Sequence, residues 1–306
     1  MTTESVAATT TLDDIADADG VFSIIAMDQR NTLRRMFTAV GIEATQDDMD
    51  RAKVDVAAAL TPLASGILLD PTIGVPAVLE AGALAGNCGL LIAAEPEKRP
   101  TYQGEPRAAR DPQQGGAWVR GLGGHAVKFL IQVRPHRTFA PGEPDLQAEA
   151  IDVVRQVVAD CREAGIPSVV ENLVYAQPGE ELSAQAREDL IVESALLLDH
   201  LGPDLLKLEY PGSAAGARRL AANLTRPWAV LSAGVAFDQF QEVVKVSCDE
   251  GGASGFIAGR SVWKEAIGLD AAERPGFFAE QARPRLETLL RAVGGRARSW
   301  REAARS

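Results

Sequence analysis

Eight short apolar runs, spread over the whole chain and separated by stretches of helical periodicity, constrain this sequence more than any other feature. They are FSIIAM (22–27), GILLD (66–70), LLIAA (90–94), AVKFLIQ (126–132), SVVEN (168–172), DLLKLE (204–209), WAVLS (228–232) and SGFIA (254–258). Each reads as a buried strand. Between them, segments such as Gln147 to Ala164, Glu188 to Leu201 and Phe237 to Glu250 repeat apolar residues on a roughly 3.6-residue period. Repeated βα units imply parallel pairing. Eight of them in 306 residues predict an α/β chain folded as a closed (β/α)8 TIM barrel. The barrel is a single domain over residues 1–306, with residues 1–20 a partly flexible N-terminal segment. An open Rossmann-like sheet is the runner-up, but the first run leads into MDQRNTLRR rather than a G-x-G-x-x-G turn. Pro96 to Gly116 carries no regular period and is expected to form a surface loop near the barrel mouth.

Composition narrows the partners. A formal charge of -11 argues against nucleic acid and against an anionic membrane surface, both of which need a net basic face. No apolar run is long enough to span a bilayer and the first residues, MTTESVAATTTLDD, are polar, so a cytoplasmic location is expected. Cys88, Cys161 and Cys248 are odd in number and widely spaced, which fits neither a disulfide framework nor a zinc site. His125, His136 and His200 do not fall at ligand spacing with carboxylates, so no metal and no other cofactor is expected. Self-association into a homo-oligomer is left open.

Lys207 is the residue that points to chemistry. It stands in the apolar run PDLLKLEYPG, where an isolated ammonium is expensive and a lysine must be used or paired. A pairing with Glu209, two positions on and on the same face of a strand, is the structural alternative. A neutral lysine amine can instead attack a ketone to form a Schiff base. The other strand ends carry a matching set, and in a barrel of this kind the active site lies at the C-terminal ends of the strands. Asp28, Gln29 and Arg30 follow the first run, Lys128 lies in the fourth, and Glu171 ends the fifth. A carboxylate beside two lysines suits proton relay, and Lys128 is expected to keep Lys207 neutral by like-charge repulsion. Ser232 and Gly234 after the seventh run, with Gly259 and Arg260 leading into SVWKEA after the eighth, offer N–H groups and a guanidinium to one phosphate.

Several segments in order, AMDQRNTLRRMF (26–37), LTPLASGILLD (60–70), AVKFL (126–130), DLLKLEYP (204–211), VLSAGV (230–235) and GASGFIAGRSVWKEAIGL (252–269), resemble the class I aldolases of the tagatose 1,6-bisphosphate aldolase and sulfofructosephosphate aldolase family. The resemblance implies a lyase that cleaves a ketose 1-phosphate with a distal anionic group into dihydroxyacetone phosphate and an aldehyde. It implies that Lys207 forms the Schiff base and Glu171 moves protons, with Asp28 and Lys128 in support. Gln29 and Arg30 would meet the distal anion, while Ser232, Gly234, Gly259 and Arg260 would hold the phosphate of the dihydroxyacetone phosphate half. ASGFIAGRSVW with IGL is closer to the sulfofructosephosphate aldolases; LLDPTIGVP and VVENLVY are closer to the tagatose-bisphosphate enzymes. A sugar-phosphate isomerase or epimerase using Glu171 alone, and a non-catalytic sugar-phosphate sensor, are the rival functions.

Overall fold

The eight runs alternate their side chains between two apolar environments, and that alternation closes the sheet. The computed structural model describes residues 9–303. Its barrel strands are β1 (Phe22–Met27), β2 (Gly66–Leu69), β3 (Gly89–Ala93), β4 (Ala126–Ile131), β5 (Ser168–Asn172), β6 (Leu205–Leu208), β7 (Trp228–Leu231) and β8 (Gly255–Ala258). All pair in parallel with their sequence neighbours, and β1 pairs with β8 to close the ring. Inward-facing Phe22, Ile24, Ala26, Leu68, Leu91, Ala93, Ala126, Val169, Leu205, Ala229 and Ile257 pack together as the barrel interior. The intervening residues, among them Ile25, Met27, Leu69, Ile92, Phe129, Val170 and Leu206, belong to the core between the sheet and the surrounding helices. Strands buried on both faces explain why the runs are almost wholly apolar.

Helices form where the 3.6-residue period is expected, over Leu146–Ala164, Ala184–Asp199 and Phe237–Asp249. Asp145 and Ser183 cap the first two by accepting from backbone N–H groups of their first turns. A 3-10 turn, Leu12–Ile15, lies against the start of β3: a Cβ on Gly89 would fall 2.0 Å from the Asp14 carbonyl oxygen. Its Ile15 is buried. Of the N-terminal segment 1–20 expected to be partly flexible, residues 1–8 lie outside the described residues. Among those described, no helix is long and apolar enough to cross a membrane.

The segment 96–116 is not the plain irregular loop that its sequence suggests. Thr101–Tyr102 and Glu105–Pro106 pair antiparallel across a two-residue turn in which Gln103 and Gly104 have φ values of 50° and 88°. Positive φ at both central positions matches the twist of the flanking strands, and Gly104 adopts it without strain. A carboxylate then fixes the hairpin. Glu105 is buried and accepts from the Arg137 guanidinium at 2.9 Å, from the Tyr175 hydroxyl at 3.1 Å and from the Gln177 amide at 3.4 Å. The connections after β3, β4 and β5 are thereby tied together above the mouth.

Barrel closure depends on a backbone approach at Gly255, where a Cβ would fall 2.0 Å from the Phe22 carbonyl oxygen at φ 137°. Gly255→Ala should therefore destabilise by at least about 1–3 kcal/mol from backbone strain alone, read as a lower denaturant midpoint. An unchanged midpoint would mean that the β1–β8 seam tolerates a side chain there.

Candidate active site

Continuing the inward phase of the strands by two residues turns the barrel interior from apolar to charged. Above Ala26, Ala93, Ala126, Val169 and Leu205 stand Asp28, Glu95, Lys128, Glu171 and Lys207. In register, Glu171 is directly opposite Lys207 on β6. The Lys128 ammonium donates to Asp28 at 2.9 Å and to Glu95 at 2.7 Å, and is 2.8 Å from Glu171. The same Glu171 oxygen, Oε2, is 3.0 Å from Lys207 Nζ. One carboxylate thus bridges two ammonium groups, and all five side chains of this cluster are largely buried.

The electrostatics follow from that geometry. Burial works against the charge of Lys128, but Asp28, Glu171 and Glu95 together hold its pKa well above the ordinary lysine value. Burial likewise pushes Asp28 and Glu171 upward, and the charges of Lys128 and Lys207 outweigh it, so both carboxyls titrate below their usual range. Three carboxylates surround the Lys128 charge. Its place in the site is that of a hub that orients Glu171. The carboxylates converge on an ammonium, and no group of three His, Cys, Asp or Glu among the described residues is arranged to hold a metal ion.

Glu209 is not the partner of Lys207. The strand ends at Leu208, and beyond it Glu209 accepts from Val174 N at 2.8 Å and pairs with Arg187. Burial raises its pKa. Two contributors were not legible as site residues. Glu95, one position past LLIAA, obeys the same strand-end rule as the others but reads as the start of a loop. Lys53 lies on the helix Gln46–Leu60, far from any strand end in sequence, yet is fully buried. Its ammonium donates to Met27 O at 2.7 Å and Gln29 O at 2.9 Å and pairs with Asp70 at 2.7 Å. Asp70 also accepts from the backbone N–H groups of Thr72, Ile73 and Gly74. This pair anchors the backbone from which Asp28, Gln29 and Arg30 project.

A cavity of about 410 Å³ opens over the relay, and its lining includes Asp28, Gln29, Arg30, Lys128, Glu171, Lys207 and Arg260. The Gln29 amide nitrogen lies on the β8 side, 3.5 Å from where a Cβ on Gly259 would stand, whereas Arg30 leans toward β3 and donates to Glu95 O at 3.2 Å. The side chains of Gln29 and Arg30, expected to meet the same group, therefore point to different sides of the cavity. The Gln29 side-chain oxygen is buried without a hydrogen-bond partner. At the far side, Ala233 and Gly234 follow β7 with φ of 48° and 80°, and Arg260 Nη2 donates to Ala233 O at 3.4 Å. A side chain on Gly234 would crowd the Arg260 guanidinium at 3.1 Å, and one on Gly259 would meet Ala26 O at 2.8 Å. Gly259 N donates to the Ser232 hydroxyl at 3.4 Å. All four residues expected at a phosphate site are thus contiguous.

The structure is thus a parallel barrel with a lysine–carboxylate–lysine cluster at the C-terminal ends of its strands. Residues 22–265, which run from β1 to just past β8, match the family described as DeoC/LacD family aldolase. The chain belongs to that family and is an aldolase. It is 30% identical over 329 residues to "Tagatose 1,6-diphosphate aldolase 2" of Streptococcus agalactiae, covering 95% of this chain and 96% of the relative. With the protein of the same name from Enterococcus faecalis it shares 27% identity over 323 residues, 94% of each. Among solved structures, an archaeal fructose 1,6-bisphosphate aldolase superposes with a TM-score of 0.63 at 18% identity, over 93% of this chain and 100% of that one. The fructose-bisphosphate aldolase of Plasmodium falciparum does so with a TM-score of 0.69 at 14% identity, over 94% of both chains. At these identities the structural likeness speaks for the fold.

The Lys53–Asp70 pair yields a stability test. Asp70→Ala strands a buried ammonium and should cost about 3–5 kcal/mol, whereas Lys53→Met with Asp70→Leu should recover much of the loss. Denaturant titration of the three proteins checks this. A single-variant loss as small as that for the exposed Arg51–Asp47 pair would show that Lys53 is solvated.

Proposed function

We propose that this chain is a class I aldolase that cleaves a ketose 1-phosphate with an anionic group at its far end, through a Schiff base on Lys207. The observation that carries the reading is the Glu171 carboxylate shared between Lys207 at 3.0 Å and Lys128 at 2.8 Å inside the cavity. Glu171 takes a proton from the Lys207 ammonium, and the freed amine adds to the C2 carbonyl. Glu171 returns the proton to the departing C2 hydroxyl, water leaves and an iminium remains. Ionised again, Glu171 accepts the proton of the C4 hydroxyl. The C3–C4 bond breaks, its electrons pass to the enamine, and an aldehyde departs. Protonation at C3 and addition of water then release dihydroxyacetone phosphate and regenerate the amine. Lys128 and Asp28 keep the relay charged and in place throughout.

The C1 phosphate would sit by Ser232, Gly234, Gly259 and Arg260, and Arg30 would face the distal anion. Gln29, on the β8 side with an unpartnered acceptor oxygen, suits a substrate hydroxyl near the C1 end. The relatives' names favour tagatose 1,6-bisphosphate as substrate. A 6-deoxy-6-sulfofructose 1-phosphate offers an anion to the same Arg and N–H donors. An isomerase, epimerase or sensor has no use for a lysine nucleophile set against a carboxylate, and the chain belongs to an aldolase family.

Borohydride reduction in the presence of dihydroxyacetone phosphate should attach one adduct to the peptide carrying Lys207. Lys207→Ala should lose that adduct and more than roughly a thousandfold in turnover while folding normally. An adduct on Lys128, or none on the parent protein, contradicts the assignment. Prolonged chelator treatment should leave turnover unchanged, and recovery that depends on added zinc would point to a different class of aldolase.

A further inference from the structure

Arg99 is a guanidinium at the cavity that the chemistry at Lys207 does not use. It stands in the segment after β3, and its Nη1 donates to the Gln132 side-chain oxygen at 2.8 Å, just beyond β4. Arg30 leans into the same arc of the mouth. Both line the cavity, and among the described residues neither forms an ion pair; Glu97 lines it too but pairs with neither. Their neighbours around the mouth are differently placed. Arg107, Arg134, Arg137 and Arg187 are each paired with a glutamate.

Among the described residues, the guanidiniums of Arg30, Arg35, Arg99 and Arg260 line one cavity without an ion pair, and in a chain with a net charge of -11 the pair Arg30 and Arg99 forms a local anion site over one arc of its mouth. Its position in the ring gives the site its meaning. The strand order is β1-β2-β3-β4-β5-β6-β7-β8 around a closed barrel, so β3 and β4 lie across the mouth from β7 and β8, where Arg260 stands. Glu171 on β5 and Lys207 on β6 lie between the two arcs. A linear ketose held at C1 by Arg260, with C2 at Lys207, directs its far end toward β3 and β4.

We propose that Arg99 is a specificity-determining residue, which with Arg30 forms the subsite for the second anion of a substrate charged at both ends. The inference rests on the aldolase reading above and adds to it the residue, in a segment outside the barrel strands, that selects doubly anionic ketoses. Gln132 fixes one edge of the guanidinium just beyond β4, and the rim position lets a long substrate reach it.

The test compares a ketohexose 1,6-bisphosphate with the matching ketohexose 1-phosphate in the parent protein, Arg99→Gln and Arg99→Lys. Arg99→Gln should lower kcat/KM for the bisphosphate by roughly tenfold or more, mainly through KM, as expected for a charged hydrogen bond. The 1-phosphate should change far less, and Arg99→Lys should recover part of the loss. Equal losses on both substrates, or none on the bisphosphate, overturn the proposal. Dihydroxyacetone phosphate has no distal group, so borohydride trapping should proceed equally in the parent and in Arg99→Gln. Failure of the parent to trap it would instead overturn the Schiff-base reading on which the inference rests.

Discussion

A fully buried lysine ammonium cannot stand alone in the middle of a barrel, and the way Lys128 is compensated organises the rest of this site. Its Nζ meets Asp28 from β1, Glu95 from β3 and Glu171 from β5 within 2.9 Å. Taking that charge out of water is expensive, and only several carboxylates in good geometry offset the expense. Those carboxylates come from segments 143 residues apart in sequence, Asp28 to Glu171, so they converge only when the barrel has closed. Closure, in turn, depends on small residues such as Gly255 that let β8 approach β1. The charged cluster and the fold are therefore one electrostatic problem with one solution. Because Glu171 is held by Lys128, it presents a fixed oxygen to Lys207, the preorganisation that the proposed proton relay requires.

Most of the barrel was legible because its strands are buried on both faces and so stand out as apolar runs between helical periods. The inward positions could be read in the same way: a residue two past an interior apolar one points into the mouth, which singles out Asp28, Lys128, Glu171 and Lys207. Glu95 follows the same rule and was missed because it precedes Pro96 and the aperiodic stretch. Lys53 was missed for a different reason. Its partner Asp70 is 17 residues away on another element, and nothing in a helical period of QDDMDRAKVDVAAAL distinguishes a buried lysine from a solvated one. Glu209 misled in the opposite direction, since strand alternation places it beside Lys207 only if the strand continues. The chain instead leaves the sheet at Leu208, and Arg187 from the preceding helix captures the carboxylate.

The acidic composition and the anionic substrate proposed for this chain are reconciled by distance. Most basic side chains near the mouth are neutralised by glutamates that lace the loops together, as Glu105 does for Arg137. The unpaired guanidiniums of Arg30, Arg99 and Arg260 line the cavity, and local fields of this kind act over a few ångströms whatever the net charge. Turn geometry at Ala233 and Gly234 contributes as well, because two successive left-handed residues bring the β7 connection against Arg260. In the proposed function one end of the substrate would meet backbone, glycine and Arg260, and the other would meet long side chains on loops, the part of a barrel that varies most freely.

The shared Glu171 carboxylate is the centre of this picture, and single-turnover cleavage by Glu171→Gln tests it most directly. The amide keeps the shape and can still face Lys128 and Lys207, but it cannot carry the proton. Cleavage should fall by about a hundredfold or more, while borohydride still traps dihydroxyacetone phosphate on Lys207, more slowly than in the parent. Cleavage at the parent rate would show that another group moves the protons and that the bridge between the two lysines is structural.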